Sequence, residues 1–112
     1  MTKRLILAAA VCGIATLQAA PSRAQQAIEI RLSYSKGQFQ PSQVSAPADK
    51  PISFRVKNID AKAMEFESTS LRVEKVVTGN GQVIINLRPL AAGRYSFFDD
   101  FHQETKGTLI AQ

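Results

Sequence analysis

The sequence is short and moderately basic, and these properties exclude several classes of protein. Its 112 residues are enough for one domain, and 14 basic against 9 acidic residues give a formal net charge of +5. The basic residues are scattered, with no run and no interleaved aromatic residues, so the pattern of a nucleic-acid-binding surface is absent.

The first two dozen residues have the pattern of a secretory signal. A basic start precedes an apolar run over residues 5–20, and Ser22-Arg23-Ala24 places small residues three and one positions before a cut after Ala24. The alternative is an uncleaved membrane anchor, but the run falls short of the roughly 20 apolar residues that span a bilayer. We therefore predict a signal peptide over residues 1–24, followed by a single exported domain over residues 25–112.

Cys12, the sole cysteine of the sequence, lies inside the predicted signal peptide. The mature protein would then contain no thiol, which excludes disulfides, cysteine nucleophiles and thiolate metal sites from the domain. Cleavage would also remove three basic residues and no acidic one, leaving 11 basic and 9 acidic residues. The net charge of the mature chain would be +2.

From residue 27 onward, short apolar or alternating stretches are separated by Pro, Gly, Asn and Asp, without sustained helical periodicity. The alternation is clearest over residues 27–34 and 52–57, and Gly79-Asn80-Gly81 is typical of a hairpin turn. Seven or eight strands at this spacing predict an all-β, antiparallel sandwich with Greek-key connections. A small barrel is the competing architecture.

Glu65-Phe66-Glu67 is the first candidate for chemistry. Alternate side chains of a strand point the same way, so the two carboxylates share one face, about 7 Å apart, and Phe66 lies on the other. A solvent-facing strand with Phe66 in the core is the alternative interpretation.

Asp99-Asp100-Phe101-His102 is the second candidate, with Glu104 close by, in a predicted loop between the last two strands. Adjacent carboxylates repel each other, so such a loop is either simply solvated or arranged around a cation whose charge offsets the repulsion. The residues alone leave both possibilities open.

These residues belong to a longer pattern that resembles the C-terminal motif of cupredoxins. The pattern is Tyr95-x-Phe97-x-Asp99-x-x-His102-x-x-Thr105-x-Gly107-x-Leu109. In cupredoxins a Cys, a His and a Met occupy the places that Asp99, His102 and Thr105 hold here. Upstream, the resemblance continues through Phe39-x-Pro41 and Asn58-x-Asp60, and Glu65 lies about where the family has its first histidine ligand. The resemblance covers residues 28–111 and implies a cupredoxin-like sandwich.

The departures from the motif change the metal that the resemblance implies. His102 alone remains of the four copper ligands, whereas a blue-copper site needs a thiolate and usually two imidazoles. The set of oxygen donors more closely resembles the cupredoxin-like proteins of bacterial periplasmic ferrous-iron uptake systems of the Efe and Ftr types. By this resemblance the metal ligands are Glu65, Glu67, Asp99, Asp100 and His102. The positions of Glu65, Asp99 and His102 match the family's ligands, and Glu67 and Asp100 would hold a second ion or surround the first.

The same resemblance implies a periplasmic protein that binds a copper or iron ion and assists iron uptake. It would oxidise ferrous iron, as a ferroxidase does, or present it to a permease. Its partners would be a periplasmic iron-binding protein and an inner-membrane iron permease, and a homodimer is left open. The alternatives are a Cu(II)-binding or chaperone module without turnover and a metal-free structural sandwich.

Overall fold

The computed structural model describes residues 2–3, 9–16 and 27–112. Most of the predicted signal peptide, including the predicted cut after Ala24, lies outside the described residues. Within them the chain forms nine strands, and no helix is long and apolar enough to cross a membrane. The strands are β1 (Ile28–Ser35), β2 (Gln38–Gln40), β3 (Gln43–Ala46), β4 (Ile52–Asn58), β5 (Met64–Ser68), β6 (Val73–Val77), β7 (Gln82–Leu87), β8 (Gly93–Asp99) and β9 (His102–Ala111).

The strands form two sheets, which confirms the all-β sandwich. One sheet has the order β2-β1-β4-β7 and the other has the order β3-β9-β8-β5-β6. The prediction of a purely antiparallel arrangement is wrong for two pairs, because β1 and β4 are parallel, as are β3 and β9. Alternation of side chains reveals which face of a strand is buried, but it carries no information about the direction of the neighbouring strand.

Four phenylalanines form the centre of the core between the sheets. Phe39, Phe54, Phe66 and Phe97 lie with ring centroids 5.0 to 6.2 Å apart. Aromatic pairs at such distances contribute about 0.5–1.5 kcal/mol each beyond the burial of their area. Since Phe66 belongs to β5 and Phe97 to β8, this packing fixes the strand that carries Glu65 and Glu67 against the strand that ends in Asp99.

The turn at Gly79-Asn80-Gly81 is confirmed, but the hairpin around it is not. Asn80 has a φ of 59°, as such turns require. The strands on either side, β6 and β7, lie in different sheets, so the turn carries the chain from one sheet to the other. Turn chemistry is local, whereas strand pairing depends on which faces meet in the core.

The predicted loop after residue 98 is mostly strand. β8 runs to Asp99 and β9 begins at His102, so two residues, Asp100 and Phe101, form the tip between them. The two strands pair from Gly93 to the tip, with an irregularity between Phe98 and Asp99. The start of β9 escaped detection because its first three residues are all exposed and polar, so they show no apolar alternation.

Candidate metal site

Asp99 is fully buried and accepts four hydrogen bonds. Its donors are the Tyr34 hydroxyl at 2.6 Å, the backbone nitrogens of Glu65 and Phe101 at 3.0 Å each, and His102 Nδ1 at 3.2 Å. Burial alone would raise the pKa of this carboxyl, but the hydrogen bonds outweigh it, and the pKa is lowered. Asp99 is therefore an ionised carboxylate whose oxygens are already occupied by the protein.

Tyr34 was not recognised from the sequence as part of this arrangement. Its hydroxyl is buried with the ring, and burial, followed by the hydrogen bond to Asp99, raises its pKa, so the phenol stays protonated and donates. In the sequence, Tyr34 simply continues the alternation of inward positions at the end of β1. Only the packing of the two sheets against each other brings it to Asp99, 65 residues away along the chain.

His102 lies at the surface with one ring nitrogen engaged. Its side chain is 59% exposed, and because Asp99 is ionised, Nδ1 donates the hydrogen bond between them. The lone pair then remains on Nε2, the nitrogen that can bind an incoming ion. The ring borders a cavity of about 350 Å³ that Asp60, Glu104 and Thr105 also line.

Glu65, Glu67 and Asp100 form a second group, on the outer face of the five-stranded sheet. The pairing of Phe66 with Asp99 directs both side chains inward, so Glu65 and Glu67 point outward. The backbone nitrogen of Asp100 donates to the Glu65 carbonyl at 2.9 Å and sets Asp100 beside them. One carboxylate oxygen from each of the three lies within 4.8 Å of the others, so the three could bind a single ion together.

The environment of Glu65 is unfavourable for a carboxylate without a cation. The side chain is 8% exposed, and its Oε1 atom is buried without a hydrogen-bond partner. The pKa of Glu65 is raised to about 7. The causes are, in order, a hydrogen bond with the Glu74 carboxyl, burial, and the negative charges of Glu74, Asp100 and Glu67. The pKa of Glu67 is also raised, by burial first and then by Asp100 and Glu74. A bound cation would offset this repulsion, and the unpartnered Glu65 oxygen could coordinate it.

The five residues of the predicted site therefore fall into two groups. Glu65, Glu67 and Asp100 lie together on the outer face, whereas Asp99 and His102 lie together beside Tyr34. The Glu65 side chain does not approach Asp99, because Glu65 points outward from β5 whereas Asp99 points inward from β8. Their link is the hydrogen bond from the Glu65 backbone nitrogen.

A blue-copper centre does not fit the residues at the corresponding positions. Asp99, where cupredoxins have the thiolate, has both oxygens occupied by hydrogen bonds. Thr105, where they have the thioether, donates its hydroxyl to the Gly37 carbonyl oxygen at 2.8 Å. One imidazole nitrogen, that of His102, remains available, which is too few soft donors for such a centre.

Comparison with known proteins agrees with this fold. The model of the cupredoxin-like domain family matches residues 5–111, and the chain belongs to that family. An uncharacterised protein of Rickettsia prowazekii (strain Madrid E) is 36% identical over 83 residues, which are 74% of this chain. The match spans 66% of the length of that relative.

Solved structures of copper proteins share the fold at low sequence identity. The metal-binding domain of the Cu(I)-exporting P-type ATPase CopA of Streptococcus pneumoniae D39, solved with Cu(I), matches with a TM-score of 0.68 and 13% identity over 80% of this chain and 98% of that one. Auracyanin A, a blue copper protein of Chloroflexus aurantiacus, matches with a TM-score of 0.65 and 13% identity, and the match covers 78% of this chain and 100% of auracyanin A. Amicyanin of Paracoccus versutus matches with a TM-score of 0.60 and 13% identity, and the match covers 81% of this chain and 86% of amicyanin.

Proposed function

We propose that this protein binds an iron ion at Glu65, Glu67 and Asp100 and assists iron uptake in the periplasm. The observation that carries the proposal is the cluster of three carboxylates around the buried, unpartnered Oε1 atom of Glu65. Carboxylates are hard, anionic donors that bind the more highly charged state of iron better. Bound Fe(II) would consequently be easier to oxidise to Fe(III), the form in which the protein would present iron to a permease.

The location and the partners belong to the proposal. The basic start and apolar run before Ala24 support export, and the resemblance to the Efe and Ftr types supports a periplasmic iron-binding protein and an inner-membrane iron permease as partners. In this arrangement the three carboxylates hold the ion, while Asp99 and Tyr34 keep the β8–β9 tip in the position that brings Asp100 beside Glu65.

A second candidate function is a Cu(II)-binding module without turnover. It is favoured by His102, whose Nε2 is left as an acceptor by the bond from Nδ1 to Asp99 and whose ring borders the cavity that Glu104 also lines. Imidazole nitrogen is a good ligand for Cu(II). The two candidate functions thus depend on different residues and can be tested separately.

Calorimetric titration of residues 25–112 distinguishes them. We expect anaerobic Fe(II) binding to be weakened by about tenfold or more in Glu65→Gln, Glu67→Gln or Asp100→Asn, and to be unchanged in His102→Gln. Cu(II) binding that disappears in His102→Gln alone would favour the copper module instead. Fe(II) binding that is the same in the parent and in all three carboxylate variants would refute the proposed site.

An oxygen electrode then tests turnover. Four Fe(II) ions reduce one O₂ to two water molecules with four protons, so oxidation at the site consumes oxygen in that ratio. We expect the parent to consume oxygen faster than Glu65→Gln at equal Fe(II). If the two proteins consume oxygen at equal rates while the parent still binds Fe(II), the role of the site would be to present iron without oxidising it.

A further inference from the structure

Glu74 extends the carboxylate cluster onto the edge strand β6. In the antiparallel pairing of β5 with β6, Glu74 lies directly opposite Glu67, and Val76 lies opposite Glu65. Side chains directly opposite each other share a face, so Glu74 stands on the same outer face as Glu65 and Glu67. Like charges in directly opposed positions destabilise a sheet, which makes this placement costly without a cation.

No basic side chain among residues 27–112 forms an ion pair with these four carboxylates. Lys106 lies on the same face, but the half-buried Phe98 occupies the position between it and Glu67 in the sheet. The Gln103 side-chain amide, which donates to Asp100 at 3.0 Å, is neutral. None of these neighbouring basic or amide groups therefore offsets the negative charge of the cluster, and one of its oxygens, Glu65 Oε1, is buried without a partner.

We propose that Glu74 is the fourth carboxylate of this metal site and makes it select trivalent over divalent cations. The inference rests on the proposed function, because it adds a ligand to the same site. Four carboxylates exceed the charge of a trivalent ion by one and that of a divalent ion by two. The attraction between the cluster and the ion scales with the charge of the ion, so each added carboxylate favours the trivalent ion more.

Titration of Glu74→Gln with two redox-inert probes tests this selectivity. Tb(III) serves as the trivalent ion and Mn(II) as the divalent one, both at pH 6 by calorimetry. We expect the Kd for Tb(III) to rise by about tenfold and the Kd for Mn(II) to rise less, so the ratio of the two affinities falls. Glu74→Asp, which keeps the charge, should retain most of the parent's preference for Tb(III).

Asp49→Asn is the matched control. Asp49 is exposed in the turn between β3 and β4, and its backbone nitrogen bonds to Leu90, at the far end of β8 from the cluster. This variant loses one negative charge as Glu74→Gln does, and Asn tolerates the positive φ at this position. We expect both of its Kd values to match those of the parent.

The outcomes separate the two proposals. If Glu74→Gln keeps the parent's ratio of affinities while Glu65→Gln and Glu67→Gln weaken binding, the role of Glu74 is refuted and the three-carboxylate site stands. If the parent binds neither ion, or Glu65→Gln binds as the parent does, the proposed site and its extension both fail. Circular dichroism of each variant confirms that the fold is retained.

Discussion

Two buried carboxylates of this protein have pKa values that are shifted in opposite directions. Asp99 is surrounded by four hydrogen-bond donors, which lower its pKa in spite of its burial. Glu65 is surrounded mainly by other carboxyl groups, which together with burial raise its pKa to about 7. The hydrogen-bond partners thus satisfy Asp99, whereas Glu65 is left with an unpartnered oxygen, as the proposed cation site requires.

The raised pKa of Glu65 predicts how the stability of the metal-free protein depends on pH. The folded-state pKa of about 7 exceeds the ordinary value of 4.5, so the folded state disfavours the ionised form. At pH values below 4.5, Glu65 is protonated in both the folded and the unfolded state and does not affect stability. As the pH rises from 4.5 to about 7, the unfolded state loses the proton first, so the free energy of unfolding decreases. In the presence of a chelator, we expect the Tm of the parent to fall relative to that of Glu65→Gln between these two pH values.

Thermal melts of both proteins at closely spaced pH values measure this difference. Glu65→Gln preserves the size of the side chain and removes the charge, so the two Tm curves should converge at the acidic end and diverge toward neutral pH. Curves that stay parallel would show that Glu65 titrates normally in the folded protein.

The sequence predicted part of this site for definite reasons. Period-two alternation placed Glu65 and Glu67 on one face, and the structure agrees. Glu74 was missed, although the pairing of Glu65 with Val76 and of Glu67 with Glu74 follows from a hairpin centred between Ser70 and Leu71. Tyr34 had no such local signal, because its contact with Asp99 depends on how distant strands pack.

At the level of the strands, the β8–β9 hairpin holds Asp100, one of the proposed metal ligands, in place. Gly107 pairs with Phe97 and lies against its ring, where a β-carbon would overlap the ring and lie 2.9 Å from the Ser42 carbonyl oxygen. The approach of β9 to the core aromatic residues therefore requires a residue without a side chain at this position.

Gly107→Ala should consequently destabilise the domain. Overpacking of this kind costs about 1–3 kcal/mol, because the Phe97 ring or the strand must shift. Urea unfolding of the variant measures the loss. Gly93→Ala, in the same hairpin, is the control, since its β-carbon would meet Tyr95 at an ordinary 3.8 Å. Equal losses in the two variants would contradict the steric explanation.

Strand prediction succeeded where one face is buried and failed where neither is. The inward positions Ile85 and Leu87 of β7 and Phe54 and Val56 of β4 are buried as their alternation predicts. The first residues of β9 are exposed on both faces, so they show no alternation of apolar and polar residues that would indicate a strand. Hydrophobic patterning consequently predicts a loop for these polar residues, although they belong to the start of β9.

At the scale of the whole molecule, a group of basic side chains lies on the sheet that does not carry the carboxylate cluster. The four carboxylates lie on the outer face of the five-stranded sheet. Arg31, Arg55 and Lys57 occupy the outer face of the other sheet, where Arg31 and Arg55 both form ion pairs with Glu29. These three basic groups therefore do not neutralise the acidic cluster, although the chain as a whole carries a net positive charge.

A cation that binds this site should stabilise the whole domain. The unfolded chain keeps the carboxylates but not their clustering, so the ion binds the folded state preferentially. At a free Tb(III) concentration of 100 times its Kd, the free energy of unfolding should rise by about 2.7 kcal/mol. Each kcal/mol raises the Tm of a domain this small by about 4–8 °C.

The triple variant Glu65→Gln, Glu67→Gln, Asp100→Asn is the control for that measurement. Without the three charges it should have a higher Tm than the parent in chelator near neutral pH, since their mutual repulsion is gone, and it should gain nothing from Tb(III). If the protein is instead a metal-free structural sandwich, the Tm of the parent should be the same in chelator and in Tb(III). The carboxylates of this fold would in that case weaken it with no ion to offset their repulsion, and the gain in the triple variant would remain as the only measurable effect of the cluster.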